Sequence, residues 1–112
     1  MTSTLAAPAR GEVAETAARF GLLADPLRLQ IVLALTREQL CTCHLEAITG
    51  AKQTTVSHHL RALREAGVVV GEAEGRFTWY RLAPGAFADA LAALAGVSRA
   101  AVAERPGRVC AP

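Results

Sequence analysis

The chain has few aromatic residues and no long apolar run. Aromatic side chains make up 4% of the 112 residues, so the core must be built from leucine, valine, isoleucine and alanine. The uninterrupted apolar runs, such as Ile31 to Leu35, are far short of the roughly 20 residues that a membrane-spanning helix needs. The N-terminus lacks the basic start and apolar stretch of a cleavable signal. We therefore expect a cytoplasmic protein with no membrane partner.

Cysteine is also scarce, and its number is odd: Cys41, Cys43 and Cys110. In a reducing compartment three cysteines do not form a disulfide framework, and they indicate free thiols available for metal or redox chemistry. No acid–base pair or nucleophile–base spacing stands out, and Ser57 beside His58 does not give triad geometry. We therefore do not expect an enzyme.

The apolar spacing predicts five helices and one β-hairpin, in the order helix, helix, helix-turn-helix, hairpin, helix. The predicted helices run from Glu12 to Gly21, from Asp25-Pro26 to Leu35, from Cys41 or Thr42 to Thr49, from Gln53 to Ala66, and from about Phe87 to Glu104. Residues 36–40 are predicted to be a connection, and the strands to cover 68–70 and 76–82 around a turn at 72–75. Leu45 and Ile48 are expected to be the core contacts of the third helix. The fold class is mainly α with a β-hairpin, in a winged helix-turn-helix layout.

This order predicts three segments along the chain. Residues 1–10 form a mobile arm, residues 11–104 a DNA-binding and dimerisation domain, and residues 105–112 a tail that carries Cys110. The first and last helices consist mostly of alanine and leucine with few charges. A small core cannot cover both, so we expect these helices to form a homodimer through an apolar surface.

The fourth helix lacks acidic residues between Lys52 and Arg64. The net charge of +2 alone does not argue for a nucleic-acid partner, but the distribution on this helix does. Val56, Leu60 and Leu63 fall on one side and should face the core. The other side offers donors and acceptors matched to base edges and phosphates. The predicted DNA-binding residues are Gln53, Thr54, Ser57, His58 and Arg61.

Taken singly, each of these side chains could also be an ordinary polar residue on a solvated helix face. Arg76, in the hairpin turn, is either a wing contact to phosphate or minor groove or a solvated turn arginine. Glu72 and Glu74 oppose the approach of phosphate. His59 is expected to be a packing or capping residue at the core edge. Phe77, Trp79 and Tyr80 are expected to pack in the hairpin and the core, in preference to stacking on bases.

Three segments resemble the ArsR–SmtB family of bacterial metalloregulatory repressors. They are Leu23-Ala24-Asp25-Pro26-Leu27-Arg28-Leu29-Gln30-Ile31, the run from Thr55 to Val68 that includes Val56-Ser57-His58-His59-Leu60, and Glu74-Gly75-Arg76 leading to Tyr80-Arg81-Leu82. Together they span about residues 20 to 83. The resemblance implies a homodimeric winged helix protein that binds an inverted-repeat operator in double-stranded DNA and leaves it when an inducer binds.

Residue by residue, Gln53, Thr54, Ser57 and His58 look like the family's base-contacting positions, and Arg76 looks like its wing arginine. Cys41 and Cys43 resemble the CxC of the arsenite-sensing branch. The chain departs from that pattern in having Lys52 where a serine often caps the reading helix, and His44 where an acid is common. No third cysteine follows within the next turn, and the last helix lacks the Asp and His set of similar zinc sensors.

Thiolates are soft ligands that select thiophilic ions. Trivalent arsenic or antimony takes three sulfurs, so Cys41 and Cys43 need a third, and Cys110 is the candidate; it could equally be an unused tail thiol. On a regular helix residues two apart point about 200° away from each other, so the pair is expected to converge only if the first turn is distorted. That distortion would then misplace the reading helix.

The residues alone leave other inducers of the predicted repressor possible. With His44 as a further ligand the site would suit zinc or cadmium; lead and thiol oxidation are further alternatives. A different class, a thiol metal carrier or interaction domain that never touches DNA, is disfavoured by the acid-free helix face. No cofactor is required in any of these hypotheses, because the ion is an inducer.

Overall fold

The computed structural model describes residues 9–99, and its elements follow the predicted order with one strand added. They are α1 Arg10–Leu22, α2 Pro26–Leu35, β1 Leu40–Cys41, α3 Thr42–Thr49, α4 Gln53–Glu65, β2 Val69–Glu74, β3 Phe77–Leu82 and α5 Ala88–Arg99. The winged helix-turn-helix class is confirmed. Residues 1–8, the predicted end of the last helix, and the tail with Cys110 lie outside the described residues.

A side-chain cap marks the start of α2, and a glycine marks the end of α3. Asp25 Oδ1 accepts hydrogen bonds from the backbone N–H groups of Leu27 at 2.8 Å and Arg28 at 3.1 Å, which caps α2. The bond from the Arg28 amide outweighs burial and lowers the pKa of the Asp25 carboxyl. In the turn between the two helices of the helix-turn-helix, Gly50 ends α3 with a φ of 73°, a left-handed conformation that glycine adopts without strain. The chain can therefore turn sharply from α3 into α4.

The core lies where α2, α3 and α4 meet the sheet. Val56, Leu60 and Leu63 of α4 are buried as predicted, and so is Leu45 of α3. The prediction for Ile48 is wrong, because its side chain is 45% exposed. The helix has only two turns, and Ile48 lies on its flank instead of its inner side.

The sheet has three antiparallel strands in the order β1-β3-β2. The predicted connection at 36–40 is wrong at its end, since Leu40 pairs with Tyr80 and the next residue, Cys41, pairs with Trp79. The predicted turn at 72–75 is also wrong, because β2 continues to Glu74, which pairs with Phe77. The hairpin therefore turns at Gly75-Arg76. Glu72 and Glu74, which the prediction placed in the turn, lie on an exposed stretch of strand.

The two outer helices pack against each other and leave apolar surface uncovered. No residue of α1 is buried, and α1 contacts α5. Arg19 Nη1 donates a hydrogen bond of 2.8 Å to the Ala66 carbonyl, which ties α1 to the C-terminal end of α4. Large apolar side chains on this pair of helices are exposed: Val13, Leu91, Leu94 and Val97. Within residues 9–99, none of the helices combines the length and the apolar character needed to cross a bilayer.

Candidate thiol site and nucleic-acid interface

The sulfurs of Cys41 and Cys43 lie together at the start of α3. Their Sγ atoms are 2.8 Å apart, longer than the roughly 2.05 Å of a disulfide bond, and both cysteines are free thiols. Cys41 is the N-cap residue, with an extended backbone at φ −92° and ψ 171°. The expected divergence of about 200° applies to two residues inside a helix. It does not arise here because Cys41 precedes the helix, so no unwinding is needed to bring the sulfurs together.

His44 joins the pair through a capping box. The backbone N–H of Cys41 donates to His44 Nδ1 at 3.2 Å, while the Cys41 sulfur accepts from the backbone N–H of His44. His44 Nδ1 is 3.3 Å from the Cys41 sulfur. One ligand atom from each of Cys41, Cys43 and His44 lies within 4.8 Å of the others. Cys41 is buried, whereas Cys43 and His44 are exposed, so an ion could reach the cluster from solvent.

The surroundings of the two thiols pull their pKa values in opposite directions. Burial raises the pKa of Cys41, but hydrogen bonds from the Cys43 thiol and from nearby backbone N–H groups outweigh it, so the net pKa lies below the ordinary value. The contact with Cys41 raises the pKa of Cys43. Of the two cysteines, Cys41 is therefore the one that more readily loses its proton. A thiolate is the form that binds metals and metalloids.

Trp79 borders the cluster, which the sequence did not indicate. Its ring centroid is 5.5 Å from that of His44, at an angle of 48°, and its backbone pairs with Cys41. Nothing in the residue pattern marks this contact, because it depends on the pairing of a two-residue strand with a strand about 40 residues away in the chain.

The outer face of α4 carries the residues predicted to bind DNA. All of them are exposed: Gln53, Thr54, Ser57, His58 and Arg61. No side chain caps the N-terminus of α4, where Lys52 is the N-cap residue. The first backbone N–H groups of the helix are thus available to a phosphate. The buried apolar side of α4 fixes this face outward.

The hairpin presents Arg76 at its turn, exposed beside Gly75. Phe77 does not pack into the core as expected, since it is 55% exposed at the tip of the hairpin. Tyr80 is buried as expected. Glu72 and Glu74 are exposed on β2.

His59 lies on the inner edge of α4, as predicted. It is half-buried, and its Nδ1 accepts a hydrogen bond of 3.0 Å from Arg28 Nε of α2. Burial lowers the pKa of His59, and the charge of Arg28 acts in the same direction, against the opposing effect of Asp25. The neutral ring is therefore favoured, and it links α4 to α2.

The helix-turn-helix, the hairpin that follows it and the thiol cluster at its entrance define a winged helix-turn-helix protein with a candidate ion site. Residues 25–70 match the family model described as bacterial regulatory protein, arsR family. The chain belongs to this arsR family, as the resemblance in the sequence predicted.

Two curated relatives are named as transcriptional regulators. The chain is 44% identical over 64 residues to a transcriptional repressor SmtB homolog from Synechocystis sp., a match that covers 57% of this chain and 48% of that protein. It thus spans about half the length of this relative. It is 40% identical over 97 residues to the HTH-type transcriptional regulator CmtR from Mycobacterium bovis, which covers 85% of this chain and 82% of that protein.

Two solved structures share the fold. A possible transcriptional regulator for arsenical resistance superposes with a TM-score of 0.64 at 34% identity, over 70% of this chain and 82% of that chain. The homodimeric winged helix-turn-helix DNA-binding domain of a possible ArsR-family transcriptional regulator from Mycobacterium bovis gives a TM-score of 0.62 at 28% identity, over 87% of this chain and 93% of that chain.

Proposed function

We propose that this chain is a DNA-binding transcriptional repressor that leaves its operator when a thiophilic ion binds Cys41 and Cys43. The observation that carries the proposal is the position of the two sulfurs, 2.8 Å apart at the first residues of the helix-turn-helix. An ion held there touches the element that leads into the reading helix. The names of the relatives, a transcriptional repressor and a transcriptional regulator, support the same function.

In this proposal α4 lies in the major groove, and its exposed side chains contact either base edges or phosphates. Gln53, Thr54, Ser57 and His58 contact base edges, and Arg61 contacts phosphate. The uncapped N-terminus of α4 adds backbone N–H groups toward a phosphate. Arg76 at the hairpin turn reaches the adjoining backbone or minor groove as the wing.

The repressor acts as a homodimer through α1 and α5. The support is the exposed apolar surface of these helices, where Leu91 is 61% and Val97 is 69% exposed, and the homodimeric state of one structural neighbour. Two copies related by a twofold axis would present two reading helices to the two half-sites of a palindromic operator. The proposed domain, residues 11–104, extends past the described residues.

Arsenite or antimonite is the proposed inducer, with the two sulfurs and a third from Cys110 as ligands. Soft thiolates favour such ions, and the lowered pKa of Cys41 makes its thiolate easier to form. The structural neighbour named for arsenical resistance supports this choice. The position of Cys110 lies outside the described residues.

Cadmium or zinc is the second candidate, and a specific observation favours it. His44 Nδ1 lies 3.3 Å from the Cys41 sulfur, so the described residues already offer two sulfurs and one imidazole nitrogen. Such a mixed set, completed by a fourth ligand, suits tetrahedral ions.

The coupling follows from the capping box and does not require an unwound helix. The Cys41 sulfur accepts the backbone N–H of His44, and an ion bound to this sulfur competes for the same lone pairs. Loss of an oxygen N-cap costs roughly 1 kcal/mol, and a sulfur cap contributes less because sulfur is a weaker acceptor. Since only residues 50–52 separate α3 from α4, a loosened α3 would shift α4, the helix proposed to read DNA.

The test is a titration of the protein on DNA from its own upstream region, followed by fluorescence anisotropy. Arsenite, antimonite, cadmium and zinc are added in separate arms. We expect one or more to release wild type, and Cys41→Ser and Cys43→Ser to bind DNA normally but resist release. Cys110→Ser tests the third sulfur. If both serine variants respond to the ion like wild type, the sensor lies elsewhere.

Ser57→Ala and His58→Ala separate the repressor from a metal carrier that does not bind DNA. Each should weaken operator binding by about 1–3 kcal/mol, while size-exclusion chromatography shows an unchanged dimer. Unchanged operator affinity in both variants would refute the assigned face of α4.

A further inference from the structure

Trp79 occupies the central strand of the sheet, between the thiol site and the hairpin. Its backbone pairs with Cys41 on β1 and with Glu72 on β2. Its half-buried side chain lies against the His44 ring, with the centroids 5.5 Å apart. One residue therefore contacts the first turn of α3 through its ring and the buried cysteine through its backbone.

Trp79 also lies close to the tip of the hairpin along the same strand. Only Thr78 and Phe77 separate it from the turn at Gly75-Arg76. A strand rises about 3.3 Å per residue, so Trp79 is roughly 10 Å along the chain from Arg76. Because β3 pairs with β2 along its whole length, from Leu82 to Phe77, a shift of Trp79 would be carried along the hairpin toward its turn.

An ion held by Cys41 and Cys43 would replace two contacts that now fix the start of α3. One is the contact between the two Sγ atoms, which are 2.8 Å apart, and the other is the hydrogen bond from the His44 backbone to the Cys41 sulfur. Cys41 is buried and paired in the sheet. The adjustment would therefore fall on the first turn of α3, which carries Cys43 and His44, and would move the His44 ring relative to Trp79.

We propose that Trp79 is the positioning residue that transmits ion binding at Cys41 and Cys43 to the β2–β3 hairpin, so that the wing moves together with the reading helix. This inference rests on the proposed function, because it requires an ion at the two cysteines. It adds that ion binding moves the wing as well as α4, and it assigns the contact between His44 and Trp79 a role in regulation.

The test compares Trp79→Leu and Trp79→Phe with Phe77→Leu as a matched control. Phe77 lies on the same strand, two residues away, with its side chain exposed. For each protein, operator affinity is measured without ion and with arsenite or Cd²⁺ in separate arms, and ion affinity is followed by thiolate-to-ion absorbance. The readout is the ratio of operator affinities without and with ion.

Trp79→Leu should lower this ratio by about 2- to 30-fold, the range for residues along a coupling network, while its ion affinity stays near that of wild type. Trp79→Phe keeps an aromatic ring against His44 and should retain most of the ratio. Phe77→Leu should leave the ratio unchanged, even where it alters operator affinity itself. A merely structural role of Trp79 would change operator or ion affinity without changing the ratio.

The outcomes separate the two proposals. If wild type shows no effect of either ion on operator affinity, the proposed function falls, and the transmission with it. If wild type responds and Trp79→Leu keeps the full ratio, only the role of Trp79 is overturned. Should Trp79→Leu fail to fold, the tryptophan fluorescence of wild type tests the role of Trp79 instead, because Trp79 is the only tryptophan in the sequence. Emission that changes on ion binding, and does not change in Cys41→Ser, supports the inference; unchanged emission at saturating ion overturns it.

Discussion

The sulfur of Cys41 reaches that of Cys43 because Cys41 has an extended backbone, whereas Cys43 lies within α3. As an extended N-cap residue it turns its sulfur toward Cys43, and its backbone N–H toward His44 Nδ1. The sequence was sufficient to select the two cysteines as a pair, because their residue type and spacing carry that information. It could not give their geometry, because that depends on the residue at which α3 begins. The sulfurs diverge if Cys41 lies inside the helix and meet if Cys41 precedes it.

His59 gives a prediction about pH at the same scale. Burial lowers the pKa of His59 below its ordinary value of 6.5, so the folded protein binds its proton less readily than the unfolded chain. The stabilising effect of this group is therefore fully present above pH 6.5 and is lost as pH falls from there through the folded pKa. Protonation also places a positive ring beside Arg28, whose Nε donates to it at 3.0 Å.

The measurement is the free energy of unfolding in urea across this pH range for wild type and His59→Gln. Glutamine does not titrate, and its side-chain oxygen can still accept from Arg28. We expect the stability advantage of wild type to shrink as pH falls below the ordinary histidine value. A difference that is constant, or that grows toward acid, would contradict the assigned neutral ring.

Among the elements, the long patterned ones were predictable and the short ones were not. The apolar residues Val56, Leu60 and Leu63 recur at helical spacing, and this determined the orientation of α4. Strand β1 has two residues, too few for any alternation to show, and its pairing with β3 is a long-range contact. The sequence therefore did not show that Cys41 pairs with β3 of the hairpin, although it did indicate both the thiol pair and the hairpin.

Within the hairpin, Gly71 gives a prediction about stability. It pairs with Tyr80, and a Cβ atom there would lie 3.1 Å from Tyr80 Cε1 and 3.2 Å from Thr78 Cγ2. The Tyr80 ring is buried, and the Arg64 guanidinium carbon lies 5.9 Å from its centroid. Overpacking typically costs about 1–3 kcal/mol, more than the roughly 0.4–1 kcal/mol that alanine gains over glycine through the unfolded chain. Gly71→Ala should therefore lower the free energy of unfolding.

Urea unfolding of Gly71→Ala tests this directly, with Glu72→Ala as the control. Glu72 is the next residue on the same strand and is exposed, so its removal should change stability by no more than about 0.5 kcal/mol. A Gly71→Ala protein as stable as wild type would show that the Tyr80 ring can move aside.

At the scale of the whole molecule, the order of the elements and the class of the fold followed from the sequence, because turn residues punctuate the chain and the helices are strongly patterned. The dimer surface was inferred from apolar residues that one small core cannot cover, and α1 and α5 do leave such residues exposed. The described residues bring Cys41, Cys43 and His44 together. The part that Cys110 plays depends on the tail and stays a prediction.

The central claim is that ion binding at the thiol pair and operator binding oppose each other in one protein. Thermodynamic linkage requires the effect to be reciprocal, typically about 5- to 150-fold in each direction. The most direct measurement is the affinity of Cys41 and Cys43 for arsenite and for Cd²⁺, determined by thiolate absorbance in the free protein and in the operator complex. The inducing ion should bind the operator complex more weakly than the free protein, by the same factor by which it weakens operator binding. Equal affinity in the two states for both ions would contradict it.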